Sequence, residues 1–234
     1  MYHSITFGTM NTWDDWHLIP RTRPVFNPPP IKSNFVDVPG ADGILDLSTA
    51  LSGRPLYGNR SGSLEFIADN DFRDWATLFS DIMNYLHGQK MRAVLEDDAA
   101  YYYEGRFSVN TWKSDPYYSL ITIDYNVGPF KMEIASTLDE WLWDPFNFES
   151  GSIQSYNNLV INGTHALTLE GRHIPIVPIL IVTAGALSVS FGGTTHALTT
   201  GENRIPEIVL ARGANLLTFT GTGTISIDYS GGSL

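Results

Sequence analysis

From Tyr101 onward the chain alternates with period two over a long stretch. Tyr101, Tyr103, Phe107 and Val109 fall on one face, with Tyr102, Glu104, Arg106, Ser108 and Asn110 opposite. After a turn at Ser114-Asp115-Pro116, Tyr117, Ile121, Ile123, Tyr125 and Val127 repeat the pattern. Successive strand side chains point to opposite faces, so this predicts two long antiparallel strands with one buried face. Shorter strands are expected at Ile31–Val38 and Gly62–Ala68, with turns at Asp42-Gly43 and Glu96-Asp97-Asp98. Pro28-Pro29-Pro30 reads as a stiff extended spacer.

One helix interrupts the strands. Asp69-Asn70-Asp71 offers capping side chains, and Phe72, Trp75, Leu78, Phe79, Ile82, Met83 and Leu86 recur at three- and four-residue spacing. Gly88 is placed to stop it. An aromatic stripe of this kind is a core face.

Beyond about residue 130 the character changes. The first 130 residues carry 10 basic and 16 acidic side chains, the remaining 104 only 4 and 9. The second part is rich in Gly, Thr and Ser, which predicts two domains joined around Lys131–Gly151. Strands are expected at Ile176–Thr183, Ala186–Phe191, Glu207–Leu210, Asn215–Phe219 and Thr224–Tyr229. Gly192-Gly193, Gly201-Glu202-Asn203, Arg212-Gly213 and Gly221-Thr222-Gly223 supply the turns between them, the pattern of an all-β sandwich. Residues 173–201 hold no Asp, Glu, Lys or Arg, but Pro175, Pro178 and the alternation at Leu187–Phe191 argue for buried strands over a membrane span. Met1–Phe7 has neither a basic nor an apolar signal region, so no secretory leader is expected.

The formal net charge of −11 disfavours nucleic-acid binding, which draws on Lys and Arg, and docking on anionic membranes. With no cysteine there is no disulfide, thiolate metal site or cysteine nucleophile. Asp14-Asp15 and Glu96-Asp97-Asp98 are sequence neighbours whose side chains diverge in strands, and they lack calcium-loop spacing. The six histidines show no metal-ligand spacing, and there is no phosphate-loop lysine or nucleophile elbow. No enzyme activity, metal or cofactor is expected. All six tryptophans precede residue 144, which leaves the second part poor in platforms for stacking sugars.

Four stretches carry a family likeness. Asn11–Pro20 (with Trp13-Asp14-Asp15-Trp16-His17) resembles the opening of the distal tail (Dit) proteins of long-tailed bacteriophages. So do Pro30–Gly40 followed by Asp42-Gly43 and Leu45-Asp46-Leu47, Arg60–Phe66 before the helix, and the ending Tyr229–Leu234. The resemblance covers essentially the whole chain. It implies a mainly β fold: an N-terminal β-sandwich with one α-helix over 1–135, a linker at 136–150, and a C-terminal galectin-like all-β sandwich over 151–234.

It further implies a non-enzymatic virion protein at the distal end of the tail, made in the bacterial host cytoplasm. Such a protein forms a homo-hexameric ring, single or stacked, around the DNA channel. One face meets the tail tube protein and the other the tail-tip, tail-lysin or receptor-binding proteins. DNA passes without specific binding, and an acidic wall would repel its phosphates. Glu96, Asp97 and Asp98 are the candidates to line the channel. Ring closure needs head-to-tail contacts, for which Tyr101, Tyr103, Phe107, Tyr117 and Tyr125 are the candidates beside their ordinary reading as core. The rivals are a host-surface saccharide-binding adhesion module and a hydrolase with an unrecognised acid pair.

Overall fold

The computed structural model describes residues 2–68, 74–114, 119–135, 137–138 and 156–234. They fall into two compact units, Met1–Lys131 with Leu234, and Met132–Ser233. Each has its own apolar core, and the described residues are mainly β with one α-helix.

In the first unit the strands are β1 (Ile5–Phe7), β2 (Met10–Asn11), β3 (Leu18–Pro20), β4 (Phe35–Asp37), β5 (Ile44–Asp46), β6 (Arg60–Ala68), β7 (Lys90–Leu95), β8 (Tyr101–Ser114) and β9 (Ser119–Val127). Seven of them make one antiparallel sheet in the order β2-β1-β7-β8-β9-β6-β3. The predicted hairpin is its centre, with Phe107 opposite Tyr125 and Val109 opposite Ile123. The register shifts at Asn110, a bulge that lets its side chain reach Asp124 at 2.7 Å. Along β9 every second residue from Ser119 to Val127 is buried.

Helix α1 (Trp75–Leu86) buries Leu78, Ile82 and Leu86, and packs Trp75, Phe79 and Met83 half-buried against the same core. Gly88 follows in the left-handed region at φ 74°, as a C′ glycine does. The capping residues Asp69–Asp71 and Phe72 lie outside the described residues.

The second unit holds β10 (Lys131–Glu133, beginning at the boundary), β11 (Leu159–Gly171), β12 (Ile179–Phe191), β13 (Thr194–Leu198), β14 (Gly201–Arg204), β15 (Gly213–Asp228) and β16 (Gly232–Ser233). Strands run β11-β15-β12-β13, with β14 on the other end of β12. Three expectations are corrected here. Ile179–Thr183 of the first expected strand joins Ala186–Phe191 in one strand, and Asn215–Phe219 joins Thr224–Asp228 in another. Gly221-Thr222-Gly223 is therefore a bend inside β15, and Gly201-Glu202-Asn203 starts β14. Glu207–Leu210 forms only a bridge, Leu210 to Ile176.

Glycine explains the first correction. Gly163 faces Gly221 across β11 and β15, and Gly185 faces Gly223 across β12 and β15. Gly185 (φ 88°) and Gly221 (φ 131°) adopt backbone that L side chains avoid, and a Cβ on either would strike a neighbouring carbonyl oxygen. With a register shift at Val182/Ala184, three paired strands turn a corner without breaking the ladder. Leu180, Val182, Ile225 and Ile227 lie on one side of that row; Leu187, Val189, Leu217 and Phe219 lie on the other, and all eight share one core.

Candidate interaction surface

No residue from Asn27 to Asn59 is buried. The segment leaves the first unit as an arm. Its limbs join at Ile31 and Tyr57, Lys32 N–H donates to Leu56 O at 2.8 Å, and β4 and β5 form a two-stranded ladder further out. Phe35 is opposite Asp46, and Asp37 is opposite Ile44. One face of the ladder therefore carries Phe35 and Ile44, the other Val36 and Leu45. Both faces are open: Phe35 is 60% and Ile44 67% exposed on the first, and Leu45 is 50% exposed on the second.

Nine of the seventeen large apolar side chains exposed among the described residues lie between Ile31 and Leu56. Full burial of such a side chain is worth about 1.5–3 kcal/mol, which the isolated chain forgoes. A two-stranded hairpin without a packed face is marginal by itself. Concentrated apolar exposure on an ordered element marks a surface that something else covers. Sequence reading placed a strand here but gave no sign that it stands away from the core. A strand pattern names the apolar residues, and not what they face.

The expected channel residues form a short 3₁₀ turn at Glu96–Asp98. Glu96 accepts the Ser4 backbone N–H at 2.8 Å and the Ser4 hydroxyl at 3.2 Å. Both Asp97 oxygens lie within 2.9 Å of His3 Nδ1, and Arg23 Nε donates to Asp97 at 2.8 Å. The His3 hydrogen bond, with further help from Arg23, holds the Asp97 carboxyl below the usual range; the opposing effect of desolvation ranks between the two hydrogen bonds. Asp98 pairs with Lys131 at 2.6 Å. All three carboxylates thus tie the turn to the N-terminal segment and to the end of the unit.

Of the expected ring-contact residues, Phe107, Tyr103 and Tyr125 are buried in the core of their own unit. Phe107 packs on Phe7, and Tyr103 and Tyr125 pack on Phe26. Their side chains have no free surface for a neighbour, because the period-two face that made them conspicuous is the face the core uses. Tyr101 is half-buried beneath Lys131, with Nζ 4.2 Å from its ring centre. Tyr117 lies outside the described residues.

A concavity of about 490 Å³ opens between the Asp14–Trp16 turn and α1, lined by Asp14, Asp15, Trp16, Asp81, Asn84 and Tyr85. Asp15 accepts the Asn11 N–H at 2.6 Å, and the Tyr85 hydroxyl donates to Phe7 O at 2.9 Å. Among the described residues no group of three or more His, Asp or Glu is arranged to hold a metal ion. No described helix is long and apolar enough to cross a membrane.

In the second unit, Tyr156, Phe219 and Tyr229 are buried, and Phe191 is half-buried against the core. Tyr229 Oη donates to Glu170 O at 3.2 Å, and burial pushes its hydroxyl pKa far up. Tyr156, Phe219 and Tyr229 thus serve the interior.

No family model and no curated protein matches this sequence. Among solved structures the chain is similar to the Dit (gp 19.1) protein of phage SPP1, described as a paradigm of the hub adsorption apparatus in Gram-positive infecting phages. The TM-score is 0.57 at 13% identity, and the match covers 99% of each chain. At that identity the likeness is one of fold: the chain has a Dit-like fold along its whole length.

Proposed function

We propose that this protein is a structural component of a long-tailed phage tail, the hub that joins tail tube to tail tip and surrounds the DNA channel. The observation that carries the reading is the arm. An ordered hairpin with apolar side chains on both faces has its natural cover in a neighbouring copy. A contact between the arm of one copy and a different surface of the next is heterologous, and it closes a ring when the rotation allows. The number six comes from the family resemblance, as do the tube protein on one face and tip, lysin or receptor-binding proteins on the other. The whole-chain Dit-like fold supports the same reading.

DNA would pass such a ring without being held, since the first 130 residues carry an excess of six negative charges. Glu96, Asp97 and Asp98 contribute less to that repulsion than their sequence suggests, because Arg23 and Lys131 already meet two of them. The saccharide-binding reading draws no support from the second unit's buried aromatics.

Negative-stain microscopy combined with sedimentation velocity tests the proposal. Six-membered rings with a central hole are expected, in equilibrium with monomer on dilution. Monomer alone up to tens of micromolar, about the strength a standard-sized interface should exceed, refutes it.

A further inference from the structure

The arm's root is as ordered as its shaft is exposed. Phe26, just before the arm, is buried against Tyr103 and Tyr125 with ring centres 4.3 and 4.8 Å away. Asn27 then uses three polar groups. Its backbone N–H donates to Tyr125 Oη at 2.8 Å, its Nδ2 donates to Ser61 O at 2.9 Å, and its carbonyl accepts Arg60 Nη1 at 3.0 Å. Arg60 is the first residue of β6 after the arm returns, and it is 5% exposed. Its Nε donates to Pro129 O at 2.8 Å, and its guanidinium lies 5.4 Å from the Tyr103 ring centre.

This is a costly way to fill an interior. No ion pair involving Arg60 occurs among the described residues, and its Nη2 has no protein partner. A buried charge held only by carbonyls and a ring face recovers part of its desolvation. What the guanidinium does achieve is geometric. Its rigid fork binds the outgoing limb at Asn27 and the exit of β9 at Pro129, while its own backbone ends the returning limb. Gly62 makes room for the arrangement, since a Cβ there would sit 2.6 Å from Asn27 Nδ2 and 2.5 Å from Tyr125 Oη. Further out, Gly58 N–H donates to Pro30 O at 2.8 Å, and Pro28-Pro29-Pro30 stiffens the limb.

We propose that Arg60 is a positioning residue that fixes the direction in which the arm leaves the subunit. The arm is thereby presented to a neighbouring copy already oriented. An arm held in its binding direction avoids much of the ordering cost of association. The inference rests on the ring reading for its purpose, but the root itself can be tested in the monomer.

The test compares Arg60→Met, similar in length and apolar, with Gly62→Ala, which displaces Asn27 and leaves Arg60 in place. Arg21→Ala, which removes only an exposed pair with Glu65, is the control. Hydrogen exchange of dilute monomer and sedimentation of concentrated protein are the readouts. Both root variants should exchange the arm ladder about tenfold faster, as expected for losing one net hydrogen bond, with β8 and β9 unchanged. Both should need about tenfold more protein to assemble, and the control should behave as wild type. Unchanged arm exchange in both variants overturns the proposal. So does equal loss of protection in arm and sheet, which would make Arg60 a core residue only. If Arg60→Met does not fold, Gly62→Ala decides alone. A wild type that never assembles defeats the ring reading, while arm exchange in the monomers still decides what Arg60 does.

Discussion

Replacing Phe35 and Ile44 together by serine isolates what the arm contributes to assembly. The two side chains share one face of the ladder and are 60% and 67% exposed in the free chain. Only that exposed share can be newly buried by a neighbour. Taking about 1.5–3 kcal/mol for full burial of each, the remaining gain is about 1–2 kcal/mol per residue, or about 2–4 kcal/mol per contact. Every 1.4 kcal/mol is tenfold, so each contact should weaken by roughly 30- to 700-fold. The subunit should hardly notice, because neither residue belongs to its core. Sedimentation velocity over a dilution series, with a thermal melt of the monomer, measures both quantities. Assembly at the wild-type concentration would refute the reasoning, and so would a melt lowered by more than a few degrees, since either places the energy of these residues elsewhere.

Gly185→Val should destabilise the second unit by about 2 kcal/mol or more, through both its positive φ and the collision with a carbonyl on β15; calorimetry of the full chain should show one of two transitions lowered. Asp97, with its folded pKa depressed chiefly by His3, contributes stability that is present above the unfolded carboxyl value near 4 and is lost as pH falls through the folded value. Urea midpoints of wild type and Asp97→Asn should therefore differ at pH 7 and converge as pH falls through the lowered folded value. Tyr229 has its folded pKa raised by burial, so its contribution is complete below about pH 10 and declines as pH climbs beyond that. In Tyr229→Phe the alkaline loss of stability should be smaller, and the ultraviolet phenolate titration should lose one late, buried group.

What could be read in advance was whatever a single element decides. The period-two run gave β8 and β9, and the Trp75–Leu86 stripe gave the helix, because one buried face suffices to write each pattern. The corner in the second unit was not legible. Gly-Thr-Gly at 221–223 is equally good chemistry for a tight turn and for a bend within a paired strand, and only its facing glycines on β11 and β12 decide. The arm was hidden for a related reason: Ile31–Val38 has the composition of an interior strand, yet nothing in its own residues says that the chain leaves the core at Asn27. The period-two face of Tyr103, Phe107 and Tyr125 is the mark of the subunit's interior, and by itself it says nothing of a partner.

The exposed arm also poses a problem of timing. Until a partner covers it, a hairpin with bare apolar faces and open edges is a template for indiscriminate strand pairing. Asp37, Asp42 and Asp46 are spaced along it, Pro39 precedes its tip, and its two strands are three residues each. These are gatekeeping devices, short edges and repelling charges, that disfavour arm-to-arm adhesion. The same carboxylates set a salt sensitivity: with a screening length of about 8 Å at physiological ionic strength, added salt should relax the repulsion between free subunits. Freshly made chains would then stay separate in dilute, low-salt solution and join more readily as either concentration or ionic strength rises.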